Sequence, residues 1–477
     1  MIYQNVGARQ SVSARTTARR RAARSIAVLT VATAALSGCA VGTGGGQAKA
    51  DADYSPGAKL SGTLSVMGFS GVDEVATTRA DMAKKALAGV TVKLAEGELD
   101  LQQLLSAIAA GDPPDLIYAN RNQIGSLAAR GAIIPLQQCV DGEKVPTGDF
   151  DDAALAQVTL NGQVYGIPEF NSVQIVMANQ KLLDAAGLTV EDVNGSEWSR
   201  VSDAAEKLMK NDGGKLSVIG FDSKLPEFLP LWAKANGADL ISKDGRTAQL
   251  DDPKVVEALT WAASIYQEQG GFDKVKAYRD SADFFGKGNQ FATDVLGAMP
   301  MEQWYVNVLN DVSPDAPMTF DTVRDRHGKT LAYASGSAWA IPAGSDNPAA
   351  ACRWARVMTS TDAWKAAAEA RVKLRNADGK PFTGILTGNK KADDEVHAML
   401  TQGGEPWDTA VKKVYEANEH TFSLPANPAD AEFTDALQDA VNAVLNGQKK
   451  PAQALDDAQK KAQKALDDAW SKLEKNG

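Results

Sequence analysis

The chain has 477 residues, with 50 Lys+Arg against 60 Asp+Glu, three histidines and three cysteines. The acidic balance excludes partners held by a basic face, nucleic acid and anionic membrane above all, and so few cysteines exclude a disulfide-dense scaffold. The length exceeds what one hydrophobic core usually supports, so two lobes are expected. In chain order the first element is an address rather than part of a fold. Arg9, Arg15, Arg19, Arg20, Arg21 and Arg24 form a positive region without an acidic residue, and Ser25–Leu36 is an apolar run too short to span a bilayer. Removing residues 1–38 leaves 44 basic against 60 acidic residues, a net charge near −16.

Leu36-Ser37-Gly38-Cys39 resembles the bacterial lipobox. The resemblance implies cleavage before Cys39, lipidation of its thiol, and an extracytoplasmic protein anchored to the outer face of the cell membrane through lipid only. Residues 1–38 are then a lipoprotein signal peptide and 39–59, with glycines at 42 and 44–46, a flexible tether. Arg19-Arg20 leaves Sec and twin-arginine export both open. Cys139 and Cys352 either pair in an oxidising exterior or remain two buried thiols.

The folded part begins with a strand over Thr63–Met67 that breaks at Gly68. A helix over Thr77–Ala88 and a strand over Gly89–Leu94 follow. Leu101, Leu104, Leu105 and Ile108 form the core-facing stripe of a helix over Leu99–Ala109, which Gly111-Asp112-Pro113-Pro114 stops. Asp115–Tyr118 starts a third strand, and Ile124–Ala129 is a helix ended by Gly131. The alternation β-α-β-α-β-α is that of a doubly wound sheet. Next comes Leu160–Leu183, LNGQVYGIPEFNSVQIVMANQKLL. It holds an Asn161-Gly162 turn, a short strand, an extended passage forced by Pro168, a second strand over Ser172–Ala178, and a helix capped by Asn179 and stopped by Gly187.

That stretch resembles the "YGIP…N" inter-lobe crossing of family 1 extracellular solute-binding proteins, the maltose-binding-protein-like receptors of ABC importers. "AAGDPPDLIYAN…LAARGAIIPL" is similar to the same family's "aaGdaPDv…la.kGal.PL". Further on, Met299–Trp304 resembles its "aM…gpW", Tyr333–Ser360 its return segment, and "NGQKKPAQALDDAQKKAQKAL" its closing helix. The resemblance spans nearly all of residues 60–470. It implies an α/β, periplasmic-binding-protein-like fold of two doubly wound lobes joined by a hinge with three crossings. The N-lobe then takes 60–168 and 326–400, and the C-lobe 169–325 and 401–477. Helices are expected over Val201–Met209, Lys254–Gln267 (with Trp261 in the core), Pro348–Met358, Asp362–Ala370, Glu432–Leu445 and Pro451–Leu473.

Catalytic machinery is sparse. His327, His397 and His420 lie far apart among polar neighbours, as surface histidines do, and no HExxH, GxSxG or P-loop is present. No cofactor and no metal site is expected, and the protein is not expected to be an enzyme. In open α/β lobes ligands bind beyond the carboxyl ends of strands, which marks Phe69, Ser70, Asn120, Arg121, Glu169, Asn171 and Asp222. Sugars call for aromatic faces beside polar side chains. The family motif puts Trp304 at the cleft, and Trp232, Trp339 and Trp407 follow because they lie outside clear helical core stripes. The resemblance implies a monomeric receptor for a small solute, a carbohydrate or related polyol, with ABC permease subunits and their ATPase as partners. Two other readings stay open: a secreted polysaccharide hydrolase built on unassigned carboxylates, and a ligand sensor for a membrane kinase.

Overall fold

The computed structural model describes residues 52–476, so the Arg-rich segment, the apolar run and Cys39 lie outside the described residues. Two five-stranded sheets organise the rest. In the first, Gly62–Met67 lies between Val90–Ala95 and Leu116–Asn120, parallel to both. Ser335–Ala340 returns antiparallel to Leu116–Asn120, and Ile167–Ser172 closes the edge antiparallel to Ser335–Ala340. In the second, Leu296–Glu302 is central, parallel to Lys215–Phe221 and antiparallel to Gln174–Asn179. Met318–Thr322 and Lys210–Asp212 are its edges. Both sheets are mixed because the returning and crossing strands enter against the direction of the βαβ units.

Local chemistry accounts for the element ends. Asp100 caps Leu101–Ala110 through the amides of Gln102 and Gln103, and Gly111 terminates it in the left-handed region. Asn179 caps Gln180–Ala186 through the amide of Leu182, and Gly187 ends it the same way. Gly68, with φ +90°, leaves the first strand where an added Cβ would meet the carbonyl oxygen of Tyr118 at 2.5 Å. The helix expected over Asp362–Ala370 runs on from Thr361 to Ala377, and the last helix from Pro451 to Asn476. Among the described residues no helix is long and apolar enough to cross a membrane.

The crossing is tighter than the sequence suggests. The passage around Pro168 is not a free linker: Ile167–Ser172 is a strand of the first sheet, and one residue, Val173, separates it from Gln174–Asn179 in the second. The chain returns to the first sheet between Met318–Thr322 and Ser335–Ala340. It crosses a third time before Trp407–Asn418, a helix packed on the strands Met318–Thr322 and Gln174–Asn179. The short parallel pair Ala332–Tyr333 and Thr421–Phe422 ties the later two crossings together.

The cysteine question has an answer. Cys139, on the helix Gln137–Glu143, and Cys352, on Pro348–Met358, are bonded with a Cα–Cα distance of 5.7 Å. Beside them the buried Glu143 carboxylate receives Arg353 and Arg356, each at 2.8 Å. Trp261 departs from expectation. It is half-buried, stacked on Trp198 at 4.3 Å and meeting the fully buried Trp232 edge-on at 4.9 Å, so Trp232 rather than Trp261 is the centre of that core.

A buried carboxylate makes stability depend on pH. Asp151 precedes the short helix Asp152–Ala156, and its Oδ2 is buried without a hydrogen-bond partner. Burial pushes this carboxyl up to about 6, against the pull of Lys390 and Arg121. The folded state therefore holds the proton more tightly than the unfolded chain does. Its contribution is favourable at low pH and is lost as pH rises from about 4 to about 6, by roughly 3 kcal/mol for two pK units. Asp151→Asn should remove that slope. Urea midpoints at pH 4 and pH 7.5 should show the variant gaining on wild type at the higher pH. An equal offset at both would contradict the assignment.

Candidate functional site

The strand registers bring two carboxyl edges together. In the first sheet Asn120 lies opposite Ser337, and Ser335 opposite Ser172, so the crossing leaves from the edge where the parallel strands end. Past Val173, Gln174 lies opposite Glu302, the carboxyl end of the central strand of the second sheet. Gln303 fastens the junction: its side-chain oxygen accepts from the Val173 amide at 2.9 Å, its amide nitrogen donates to the Asn171 carbonyl at 3.0 Å, and its backbone N–H donates to the Val173 carbonyl at 2.9 Å. The loops that ligands favour in α/β lobes thus belong to both sheets at one place.

On the first edge Ser70 is half-buried, and its hydroxyl accepts from the Gly97 amide at 2.8 Å, joining the loops after the first and second strands. Asn120 is exposed there. Phe69 is buried, in an aromatic cluster with Tyr118 at 5.5 Å and Trp339 at 5.2 Å.

On the second edge Trp304 opens the helix Trp304–Val312 and is half-buried. Its indole N–H donates to Glu302 Oε2 at 2.7 Å. Burial pushes the Glu302 carboxyl up while the indole donor holds it down. Phe285, 39 % exposed, lies nearly parallel to Trp304, with centroids 6.2 Å apart and planes 13° apart. Behind them Phe284 stacks on Tyr305 at 4.2 Å. The result is a pair of near-parallel rings with a carboxyl group beside them, and aromatic surface next to a polar acceptor is the combination that a pyranose requires.

Seven other expected site residues are occupied otherwise. Trp232 is fully buried in the helix Leu229–Ala235, its N–H donating to the Ser223 carbonyl at 2.8 Å. Trp339 is fully buried against Trp354 and Tyr118. Trp407 starts a helix rather than lying in a loop, packed on Phe320 with its N–H on the Pro314 carbonyl at 3.2 Å. None of these three offers a ring face to a ligand, because each large apolar ring fills the layer between sheet and helices. Glu169 is buried and ion-paired with Arg79, with the Tyr118 hydroxyl on its other oxygen. Asp222 is buried under Arg279 at 3.0 Å and the Tyr266 hydroxyl at 2.5 Å. Burial raises the Asp222 carboxyl, but Arg279 and Lys224 outweigh it and hold it below its ordinary value. Asn171 is buried with both ends of its amide bonded, one of them to the equally buried Arg121. Phe285 and Glu302 escaped the sequence reading. The signals were present, a Phe-Phe pair before Gly286 and an acidic residue two before Trp304, but neither spacing distinguishes a partly exposed ring pair from a core. His327, His397 and His420 are all exposed.

The sequence profile of the bacterial extracellular solute-binding proteins matches residues 78–374. The chain belongs to that family. This solute-binding protein is accordingly a binding protein rather than a hydrolase. It is 24 % identical over 361 residues to the maltooligosaccharide ABC transporter solute-binding lipoprotein of Streptococcus pneumoniae, covering 70 % of this chain and 78 % of the relative. It is 24 % identical over 384 residues to the maltodextrin-binding protein MdxE of Bacillus subtilis, covering 77 % and 82 %. Among solved structures, mannobiose-bound CpMnBP1 superposes with a TM-score of 0.68 at 21 % identity, over 84 % of this chain and all of that one. The GacH receptor of Streptomyces glaucescens does so with a TM-score of 0.65 at 17 % identity, over 86 % and 99 %. The solute-binding protein therefore shares their two-lobed fold.

Proposed function

We propose that this protein is a monomeric receptor, lipid-anchored through Cys39 on the outer face of the cell membrane, that captures an oligosaccharide or related polyol. It delivers that solute to the permease subunits of an ABC importer driven by a cytoplasmic ATPase. The observation that carries the sugar class is the Phe285–Trp304 ring pair beside Glu302, at the place where the carboxyl edges of both sheets meet. Charge supports a neutral solute. Arg279 is paired with Asp222, Lys224 with Glu227 at 3.3 Å, and Arg371 with Asp73 at 2.9 Å and with Glu74, so the cations near these loops are already compensated. The maltooligosaccharide, maltodextrin and mannobiose in the names of the relatives belong to the same chemical class. Lobes that close around solute gain stability only from contacts made in the closed form.

The test is a thermal-shift screen against maltotriose, mannobiose and simple polyols. A solute at a hundred times its dissociation constant should add about 2.7 kcal/mol of stability. Trp304→Ala should then lose about 2 kcal/mol of binding, roughly thirtyfold, with a melting temperature for the free protein lowered less than in Trp232→Ala, because Trp304 is only half-buried. Absence of any shift across the panel, or normal affinity in Trp304→Ala, would remove the basis of the sugar reading.

A further inference from the structure

Arg121 follows the strand Leu116–Asn120 and is completely buried, yet its four hydrogen bonds go to no carboxylate. Its Nε donates to Gln157 Oε1 at 2.9 Å, Nη1 to the Phe170 carbonyl at 3.1 Å, and Nη2 to Asn171 Oδ1 at 2.7 Å and to the Ser335 carbonyl at 2.5 Å. Phe170 and Asn171 belong to the first crossing, Ser335 to the second. The chain of donors continues to the third. Asn171 Nδ2 donates to Asn418 Oδ1 at 2.9 Å, and Asn418 Nδ2 donates to Asp393 Oδ2 at 3.0 Å. Asn418 ends the helix that packs on the second sheet, whereas Asp393 lies on Lys390–His397, which packs on Thr361–Ala377 behind the first.

Every link runs the same way, from a guanidinium through two amides to the buried Asp393 carboxyl group, so the bonds polarise one another in a low-dielectric interior. The close fit is built into the backbone. At Gly336, φ +151°, an added Cβ would meet the Phe170 carbonyl at 1.9 Å and Arg121 Nη2 at 3.0 Å, so the first and second crossings touch only because that position is glycine. A buried donor that loses its acceptor is costly, and moving one crossing without the others would strand several at once.

We propose that Arg121 and the amide chain Asn171–Asn418–Asp393 couple the three crossings and set the angle between the lobes, positioning the binding edges without touching solute. The proposal rests on the reading of the protein as a two-lobed receptor that closes. Arg121, Asn171 and Asn418 are positioning residues, and lobe separation is the readout that a merely structural role would leave alone.

The test uses the whole chain after Cys39, with spin labels at Lys85→Cys and Lys207→Cys, exposed positions on the two lobes. Asn418→Ala severs the link to the third crossing and should shift or broaden the label separation in the solute-free protein. Arg121→Lys, which keeps the charge but loses the planar fork, should do the same, and Asn418→Ser serves if the alanine variant does not fold. Gln157→Ala removes an Arg121 partner that belongs to no crossing and should leave the separation unchanged. Solute affinity should fall about tenfold in the severed variants, within the range of ordinary couplings between sites. An unaltered separation in Asn418→Ala, or an equal shift in Gln157→Ala, overturns the proposal. A shifted separation in a protein that answers to no sugar in the panel would sink the receptor reading and leave the coupling intact.

Discussion

Replacing Cys139 and Cys352 together by alanine is expected to lower the stability of the first lobe by about 2–5 kcal/mol. The bond closes a loop over a sequence separation of 213 residues, and the entropy removed from the unfolded chain grows with the logarithm of that length. The position matters as much as the length. Cys139 precedes the first crossing and Cys352 follows the second, so the whole second sheet is an excursion hung between the two ends of the cross-link. Unfolding of the second lobe alone leaves the constraint in place, and the loss should therefore concentrate in the transition of the first lobe. Glu143, held by Arg353 and Arg356 in the same corner, keeps the two helices aligned but does not replace a covalent closure. Urea melts followed by tryptophan fluorescence, with oxidised wild type beside the double variant, decide the matter. Coincident midpoints would mean that the unfolded ensemble is already as restricted without the bond.

Trp232→Ala is expected to cost about 3–5 kcal/mol of fold stability, as the loss of other fully buried aromatics does. The ring is fully buried, its N–H is satisfied by the Ser223 carbonyl, and it is flanked by Phe221 at 6.4 Å and Trp261 at 4.9 Å. Gly195 lies so close that an added Cβ would be 3.1 Å from the indole, so the neighbouring backbone is already in contact and has little apolar bulk with which to refill the space. Trp261→Ala, at a half-buried position with its N–H shared between the Trp198 carbonyl and Ser202, should cost less. Denaturant melts of the two variants test the order. A larger loss in Trp261→Ala would place the weight of this core on the outer ring. Because Trp232 is remote from solvent, its variant should retain sugar affinity wherever it remains folded, in contrast to Trp304→Ala.

Much of the architecture was legible in the amino-acid order because local chemistry and core packing demand the same residues there. Leu101, Leu104, Leu105 and Ile108 repeat at helical spacing, Asn179 reads as a cap, and Gly111 and Gly187 stop helices in the left-handed region, whereas the cap at Asp100, inside the helix expected from Leu99, was set by the structure. Two lobes follow from length, and the solute-binding family follows from segments whose turn residues and apolar runs stay in register across most of the chain. The motif around Trp304 lies where a central strand ends and a helix begins.

The tertiary structure alone decided which polar and aromatic groups are buried and which stay exposed at the crossing. Glu169, Asn171 and Asp222 were marked by the strand-end rule, yet each is held by a partner far away in sequence: Arg79 at 90 positions, Asn418 at 247 and Arg279 at 57. Trp339 and Trp407 lie outside helical core stripes in sequence but are buried in packed layers, whereas Phe285, in an ordinary stretch, stays 39 % exposed beside Trp304. Cys139 and Cys352 could pair or not until the return strand brought their helices within 5.7 Å. The reason is common to all of them. Helices, caps and turns are set by neighbours within a few residues, while burial, charge pairing and ring exposure depend on segments that the three crossings bring together from opposite ends of the chain.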